Sequence, residues 1–187
     1  MRQGFTVWFT GMPGSGKTTM ATLLAEQLRL QKFRVEVLDG DLVRTHLSKG
    51  LGFSREDRDE NVRRVGFLCE ALSRDGVVAI AAMISPSREA RHAIRTRIPN
   101  FVEVHMDCPL ELLIQRDAKG LYTKALAGEI AQLTGVSDPY EPPLHPELRL
   151  DSSVDTPTTA LEKLLIKLVQ LKLTSSDADS GPCEQPF

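Results

Sequence analysis

The clearest chemical signature lies near the amino terminus, where residues 11–18 read GMPGSGKT. This segment matches the phosphate-binding pattern G-x-x-x-x-G-K-[ST] at every fixed position. Glycines let such a loop aim its backbone N–H groups at phosphate oxygens, while the lysine reaches the β- and γ-phosphates and the hydroxyl holds Mg²⁺. We therefore expect a nucleotide-binding loop for ATP and Mg²⁺. The nucleotide-binding residues predicted here are Gly11, Met12, Pro13, Gly14, Ser15, Gly16, Lys17, Thr18 and Thr19.

The segments on either side of this loop strengthen the prediction. Residues 5–10 are mainly β-branched and aromatic, which is typical of a buried strand. Residues 19–28 carry apolar side chains at helical spacing. A strand, a glycine-rich loop and the first turn of a helix thus occur in the order that phosphate binding requires, and the helix dipole favours an anion there.

Two more predicted strands end in polar residues. Residues 35–38 are predicted to form a strand that ends at Asp39 and Asp41, and the apolar run at residues 76–82 leads to Ile84 and Ser85. Ligands bind at the carboxyl ends of strands in open α/β sheets. A carboxylate near Mg²⁺ can accept the proton of an attacking hydroxyl group, so we predict that Asp39 is close to the reaction.

Arginines supply the complementary charge. We expect Arg44, Arg58 and Arg64 to clamp an anionic acceptor. Residues 54–57 resemble a capping box that starts a long helix. Arg58 and Asn61 precede the apolar residues of that helix on roughly the same side, so its start either faces a cleft or forms a solvated charged turn.

The segment from residue 116 to residue 146 shows little periodicity and is rich in Gly, Pro, Asp and Tyr. A long irregular segment in a compact domain is often a lid or a binding loop. We expect Arg116 and Lys119 to fold over the transferring phosphoryl group and to exclude water. Arg116 therefore joins the predicted nucleotide-binding residues.

The elements needed to hold these residues follow from the rest of the pattern. Strands are also predicted at residues 101–106 and 148–150, and an amphipathic helix at residues 158–173. Alternating strands and helices predict a three-layer α/β/α domain with a central parallel five-stranded sheet of the P-loop kinase type. We place this domain at residues 1–173 and predict a disordered tail at residues 174–187.

Composition excludes several other classes of protein. The chain has 187 residues, 41% of them hydrophobic, and a net charge of −2, which argues against a nucleic-acid surface. No apolar run is long enough to span a bilayer. Because the first predicted strand begins soon after Met1, we expect no targeting peptide. The three cysteines and four histidines are scattered. We expect no metal site among them and a reducing cytoplasm.

The residues alone therefore predict an ATP-dependent kinase of an anionic small molecule. Two alternatives stay open at this point. One is another small-molecule kinase that acts on a nucleoside or a sugar acid. The other is a non-catalytic nucleotide-binding module, against which the intact Lys17, Thr18, Asp39 and Lys119 argue.

Five motifs together resemble the adenylylsulfate kinase family over about residues 5–173. The motifs are LDGDxxR at 38–44, GFSxxDRxxNxRR at 52–64, ISP at 84–86, RDxKGLY at 116–122 and DPYExP at 138–143. The resemblance implies transfer of the ATP γ-phosphoryl group to the 3′-hydroxyl of adenosine 5′-phosphosulfate (APS), which gives 3′-phosphoadenosine 5′-phosphosulfate. It also implies a homodimer.

The resemblance further implies roles for individual residues. Asp39 would be the base and, with Thr18, a Mg²⁺ ligand, while Phe53 would stack on the adenine of the acceptor. The implied catalytic residues are Lys17, Asp39, Ser85 and Lys119. The implied acceptor-binding residues are Asp41, Arg44, Phe53, Arg58, Asn61, Arg64, Ile84, Ser85, Lys119 and Leu133.

Three positions need separate comment. Ser85 corresponds to a serine described as a phosphoserine intermediate in bacterial members, but in-line transfer needs no covalent carrier, so we favour a positioning role. Leu133 stands where the family usually has Phe, so a second aromatic face for the adenine is missing and acceptor binding is expected to be weaker. Ser87 stands where Tyr is common.

Overall fold

The computed structural model describes residues 3–117 and 119–175, apart from the side chains of Asp41 and Leu42. All strands of its five-stranded sheet are parallel, and their spatial order is β2-β3-β1-β4-β5. The strands are β1 (Thr6–Thr10), β2 (Val35–Asp39), β3 (Val78–Ala82), β4 (Phe101–Asp107) and β5 (Leu148–Asp151). The helices are α1 (Lys17–Leu30), α2 (Gly40–His46), α3 (Arg55–Arg74), α4 (Arg88–Arg95), α5 (Leu110–Arg116), α6 (Leu121–Leu126) and α7 (Pro157–Gln170).

Both faces of the sheet are covered by helices, which confirms the predicted three-layer α/β/α class. Every residue of β1 and β3 is buried, as expected for central parallel strands with near-continuous apolar sequence. Side chains alternate between the faces, so that Val7 packs in the core under α1 and α7 while Trp8 packs in the core under α3 and α4. The sheet therefore holds its loops at a fixed edge.

The long helix α3 begins as the sequence predicts. Its N-cap is Ser54, whose hydroxyl accepts a hydrogen bond from the backbone N–H of Asp57 at 3.1 Å. Arg58 and Asn61, near the start of the helix, are both buried. Of the two interpretations of this start, the cleft-facing one is confirmed for these two side chains.

The predicted irregular segment contains a short helix, α6, that the sequence pattern did not reveal. The carboxylate of Asp117 accepts hydrogen bonds from the backbone N–H groups of Tyr122 at 3.0 Å and Thr123 at 2.9 Å. Gly120 precedes the helix with a positive φ of 65°, which glycine adopts at little cost. The Asp117 carboxylate and Gly120 thus start this helix, although its sequence lacks the apolar periodicity that would have predicted it.

Helix α5 begins after Pro109, which is its N-cap. Among the described residues, no helix is both long enough and apolar enough to cross a membrane.

The domain boundaries stay a prediction. Residues 176–187 of the predicted tail lie outside the described residues.

Candidate active site

The phosphate loop between β1 and α1 depends on glycine at two positions. A Cβ atom at Gly11 would lie 2.4 Å from the backbone oxygen of Met106, so the close approach of the loop to β4 excludes any larger residue. Gly16 is the N-cap of α1 and has a φ of 93°, which favours glycine. The loop therefore leads directly into the N-terminal end of a helix, where the macrodipole stabilises an anion.

Lys17, the first residue of α1, is folded back onto this loop. Its Nζ donates hydrogen bonds to the backbone oxygens of Gly11 at 2.9 Å and Met12 at 2.7 Å. Lys17 is buried, and the carbonyl groups compensate for the lost hydration of its charge. A charged phosphate oxygen forms a stronger hydrogen bond to an ammonium group than a neutral carbonyl does. The Lys17 ammonium can therefore leave these carbonyls and bond to the phosphates of a bound triphosphate.

The hydroxyl of Thr18 donates a hydrogen bond to the Asp39 carboxylate at 2.6 Å. These residues lie 21 positions apart and meet because α1 begins at the same edge of the sheet at which β2 ends. A hydroxyl and a carboxylate oxygen are suitable ligands for Mg²⁺, which usually combines one or two protein oxygens with phosphate and water. In the described part of the chain, no group of three or more His, Cys, Asp or Glu side chains could hold a metal alone.

The opposite wall of the cleft is aromatic and cationic. Phe53 is 53% exposed, and its ring centroid lies 4.5 Å from the guanidinium carbon of Arg44 and 5.4 Å from that of Arg58. An exposed ring beside two guanidinium groups offers a stacking surface next to positive charge. This arrangement suits an anion that carries a flat aromatic group.

Arg58 connects this wall to the irregular segment. Its Nε donates to the backbone oxygen of Phe53 and its Nη2 to that of Gln132, both at 2.8 Å. Its guanidinium also lies 3.6 Å from the carboxylate of Asp138. Burial lowers the pKa of Arg58 from its ordinary value, and the Asp138 charge opposes that shift. Arg58 therefore joins α3 to the predicted lid.

Asn61 lies one turn after Arg58 and is only 4% exposed. Its Oδ1 is buried without a hydrogen-bond partner among the described residues. A buried polar atom without a partner costs about 1–3 kcal/mol. Because Asn61 lines the cleft, a ligand is the natural partner for this oxygen.

The loop after β3 has an unusual backbone. Ser85 has a positive φ of 41°, a conformation that residues with a Cβ seldom adopt. Its Oγ accepts a hydrogen bond from Trp8 Nε1 at 3.1 Å and donates one to Thr10 Oγ1 at 3.0 Å. The Thr10 hydroxyl in turn donates to the backbone oxygen of Ile84 at 2.8 Å. The Ser85 hydroxyl is thus held by its neighbours in β1.

One cleft of about 550 Å³ joins these features. It brings the phosphate loop and Asp39 to a common space with the wall that carries Phe53 and Arg58, and Leu133 from the irregular segment lines it as well. The predicted residues that line it are Pro13, Gly14, Gly16, Lys17, Thr18, Thr19, Asp39, Arg44, Phe53, Arg58, Asn61, Ile84, Ser85, Lys119 and Leu133.

The structure does not bring every predicted residue to the cleft. Arg64 instead donates from its Nε to Glu60 at 2.7 Å on the same helix, and Arg116 donates to the backbone oxygen of Ser152 at 2.9 Å after β5. Gly11, Met12 and Ser15 complete the phosphate loop without lining the cleft. The side chain of Asp41 lies outside the described residues. The roles of all these residues stay predictions.

Two residues with contacts near the site were given no role by the sequence. The Tyr122 hydroxyl donates to the backbone oxygen of Pro13 at 2.8 Å, which ties α6 to the phosphate loop, and burial raises the pKa of Tyr122 to about 12. Arg91, in α4, is buried and paired with Glu103. The sequence does place an acidic residue, Glu103, within the buried strand β4, and a buried carboxylate of this kind indicates a cationic partner.

Comparisons with known proteins agree with this geometry. The family model described as "Adenylylsulphate kinase" matches residues 3–151. A relative from Chloroflexus aurantiacus named adenylyl-sulfate kinase is 54% identical over 172 residues, covering 92% of each chain. The structure of a Mycobacterium tuberculosis APS kinase in complex with AMPPNP and APS has a TM-score of 0.86 and 39% identity, over 90% of this chain and 99% of that one.

The description of a further similar structure states its oligomeric state. It is described as a hexameric APS kinase from Thiobacillus denitrificans, with a TM-score of 0.71 and 36% identity. The match covers 92% of this chain but only 30% of that one.

Asn61 provides a test of the site that needs no substrate. We expect Asn61→Leu to raise the free energy of unfolding by about 1 kcal/mol, because it removes a buried oxygen without a partner while keeping a similar shape. The control is Asn61→Asp, which keeps a buried oxygen, adds charge and should lower stability. Thermal or urea unfolding without nucleotide measures both; a leucine variant less stable than the wild type would contradict the assignment.

Proposed function

The chain belongs to the adenylylsulfate kinase family, and from that premise we propose how its own residues carry out the reaction. The reaction is the ATP-dependent transfer of the γ-phosphoryl group to the 3′-hydroxyl of APS, which gives 3′-phosphoadenosine 5′-phosphosulfate. The observation that carries the proposal is the single cleft that joins the phosphate loop and Asp39 to the wall formed by Phe53, Arg58 and Asn61.

On the donor side, the triphosphate of ATP would bind along the phosphate loop at the start of α1. Lys17 would then exchange its bonds to the Gly11 and Met12 oxygens for bonds to phosphate. The 2.6 Å contact between Thr18 and Asp39 supports these two residues as the ligands of Mg²⁺. When bound, Mg²⁺ supplies positive charge that offsets the charge of the phosphate oxygens.

On the acceptor side, the flat adenine would lie against the exposed ring of Phe53. Arg44 and Arg58, whose guanidinium groups flank that ring, would bind the negatively charged phosphosulfate. Asn61 would use its unpartnered Oδ1 to accept a hydrogen bond from the acceptor. The aromatic ring, the two guanidinium groups and the amide together would select an anionic adenylate over a neutral nucleoside.

Transfer then needs one proton acceptor and a dry site. The 3′-oxygen of APS attacks the γ-phosphorus, the bond to the β–γ bridging oxygen breaks, and ADP leaves. Asp39 would accept the proton of the 3′-hydroxyl and later release it to water. Lys119, which lines the cleft from the irregular segment, would stabilise the charge of the transferring group.

We also propose a homodimer, in keeping with the family resemblance.

We further propose that the protein works in a reducing compartment such as the cytoplasm. The described thiols of Cys69 and Cys108 are free and buried, and burial raises the pKa of Cys69 to about 12. A buried, protonated thiol is inert and needs no oxidising environment.

The oligomeric state is open to direct measurement. We expect light scattering coupled to size-exclusion chromatography to give the mass of two chains at micromolar concentration. A mass corresponding to one chain or to six chains at every concentration would contradict the proposed dimer.

Incubation with MgATP and APS tests the function itself. We expect the wild type to form the 3′-phosphorylated product, and Asp39→Asn to lower kcat by about 10²–10⁴-fold because the amide can neither accept the proton nor carry the ligand charge. Asp75→Asn is the matched control, since Asp75 is an exposed partner of Arg34. Chromatography of the nucleotides follows the reaction.

Two results would contradict the proposal. One is a wild type that phosphorylates a nucleoside or a sugar acid but not APS. The other is an Asp39→Asn variant with the same kcat as Asp75→Asn, which would leave the reaction in place but remove Asp39 as its base.

Ser85 gives a separate prediction about mechanism. Because its Oγ is bonded to Trp8 and Thr10, we expect Ser85→Ala to lower the free energy of unfolding by about 1–3 kcal/mol while kcat stays within about threefold. Ser85→Gly, which tolerates the positive φ, separates backbone strain from the lost hydrogen bonds. Isolation of a phosphoserine that turns over would assign Ser85 a covalent role instead. A kcat loss beyond about 100-fold in both variants would contradict a purely structural role for its hydroxyl.

A further inference from the structure

A buried arginine lies behind the acceptor wall of the cleft and joins three segments. Arg91, in α4, is 2% exposed. Its Nη1 donates to the backbone oxygen of Ser85, its Nε to Glu103 Oε1 at 2.8 Å, and its Nη2 to the backbone oxygen of Glu141 at 2.6 Å. One planar guanidinium thus connects the loop after β3, the strand β4 and the segment that leads to β5.

These bonds fix the direction of the peptide groups around Ser85. The oxygen of Ile84 accepts from Thr10 and the oxygen of Ser85 accepts from Arg91, so both carbonyls are engaged by the protein. The peptide bonds are trans, and therefore the N–H of Ser85 points opposite to the oxygen of Ile84. Within the described part of the chain this N–H has no acceptor, although Ser85 lines the cleft.

The position of Arg91 follows from the start of its helix. Ser87, which stands where the family commonly has Tyr, is the N-cap of α4 and accepts a hydrogen bond from the backbone N–H of Ala90 at 3.2 Å. Arg91 lies one turn later and faces β4, where Glu103 neutralises its charge. A buried guanidinium is tolerated only with such a partner and with its remaining donors satisfied.

The third bond of Arg91 reaches the end of the irregular segment. Glu141 is also held by Pro86, whose oxygen accepts from the Glu141 N–H at 3.0 Å, and by the N–H of Arg88, which donates to its carboxylate at 2.8 Å. The same segment contains Asp138, the partner of Arg58. Through Arg91, the loop at Ser85 and the far end of the lid therefore share one anchor.

We propose that Arg91 is a positioning residue for the acceptor: it holds the carbonyl of the Ser85–Pro86 peptide and so fixes the chain that follows Ser85. The Ser85 N–H, whose own peptide is held by Thr10 through the Ile84 oxygen, can then donate to an anionic oxygen of the phosphosulfate nucleotide. This inference rests on the proposed function of the cleft. Arg91 acts through Ser85 and Glu141 and does not touch the substrate. It governs acceptor binding rather than ATP binding, since its contacts reach neither the phosphate loop nor Asp39.

The test compares two arginines that share one carboxylate. In Arg91→Lys, the new ammonium can still pair with Glu103 but cannot donate in three fixed directions. Arg95 also pairs with Glu103, at 3.1 Å, and with Glu147, at 2.7 Å, but it contacts neither Ser85 nor Glu141. Arg95→Lys is therefore the matched control for a change in stability or in the Glu103 ion pair.

Two readouts separate positioning from folding. The first is KM for APS against KM for ATP. The second is direct titration with APS, without ATP, followed by the fluorescence of Trp8, which is the one tryptophan of the sequence and bonds to Ser85 Oγ. We expect Arg91→Lys to raise KM and Kd for APS by about tenfold, with KM for ATP within about twofold, and Arg95→Lys to change neither constant.

Equal APS constants in the two variants, or an equal rise in KM for ATP and APS in Arg91→Lys, would overturn the inference. If Arg91→Lys does not fold, Arg91→Gln takes its place under the same criteria, because Arg95 still pairs with Glu103 and the shorter amide cannot donate to all three acceptors of Arg91. Product formation by the wild type decides the proposed function independently. A wild type that phosphorylates APS alongside an unchanged Arg91→Lys would therefore remove only the role of Arg91.

Discussion

Parallel pairing of β2 with β3 and of β3 with β1 is the constraint on which the site depends. It aligns Asp39 with Ala82 and Ala82 with Phe9, so the chain leaves all three strands at one edge. The 2.6 Å contact between Thr18 and Asp39 and the bonds from Thr10 to the loop at Ser85 both follow from that alignment. A shift in register would separate donor and acceptor sides while leaving each motif intact.

Buried cations around the cleft share one mode of attachment, which is bonding to loop carbonyls. Lys17 bonds to carbonyls of its own loop, Arg58 to those of Phe53 and Gln132, and Arg91 to those of Ser85 and Glu141. Carbonyl oxygens are neutral, so an anionic ligand competes well with them for a cation. Arg58 also has a carboxylate partner, Asp138, at 3.6 Å. Arg91 differs because its carboxylate partner, Glu103, is closer, at 2.8 Å, and more deeply buried, which makes Arg91 a fixed support rather than a ligand contact.

The sequence predicted those features that short-range patterns encode. The phosphate loop, the apolar strands and the Ser54 cap each occupy a few consecutive residues, and the structure contains them all. Local sequence patterns did not predict the pairings between distant residues. That Arg91 turns inward to Glu103, while Arg116 bonds to Ser152, depends on strand order and helix rotation. The local spacing of charges predicts neither the strand order nor the helix rotation.

In the proposed site, Leu133 in place of the family's usual Phe would make acceptor recognition depend more on polar contacts. Leu133 is 6% exposed and lines the same cleft as Phe53, so it still offers apolar area to a purine. It lacks the ring geometry that adds about 0.5–1.5 kcal/mol to an aromatic pair. In the proposed function, discrimination between an anionic adenylate and other purines would then come from directed groups, namely the guanidinium of Arg58, the amide of Asn61 and the Ser85 N–H. Directed groups select only when they are held still, and this is why the supports behind the cleft matter as much as the residues that line it.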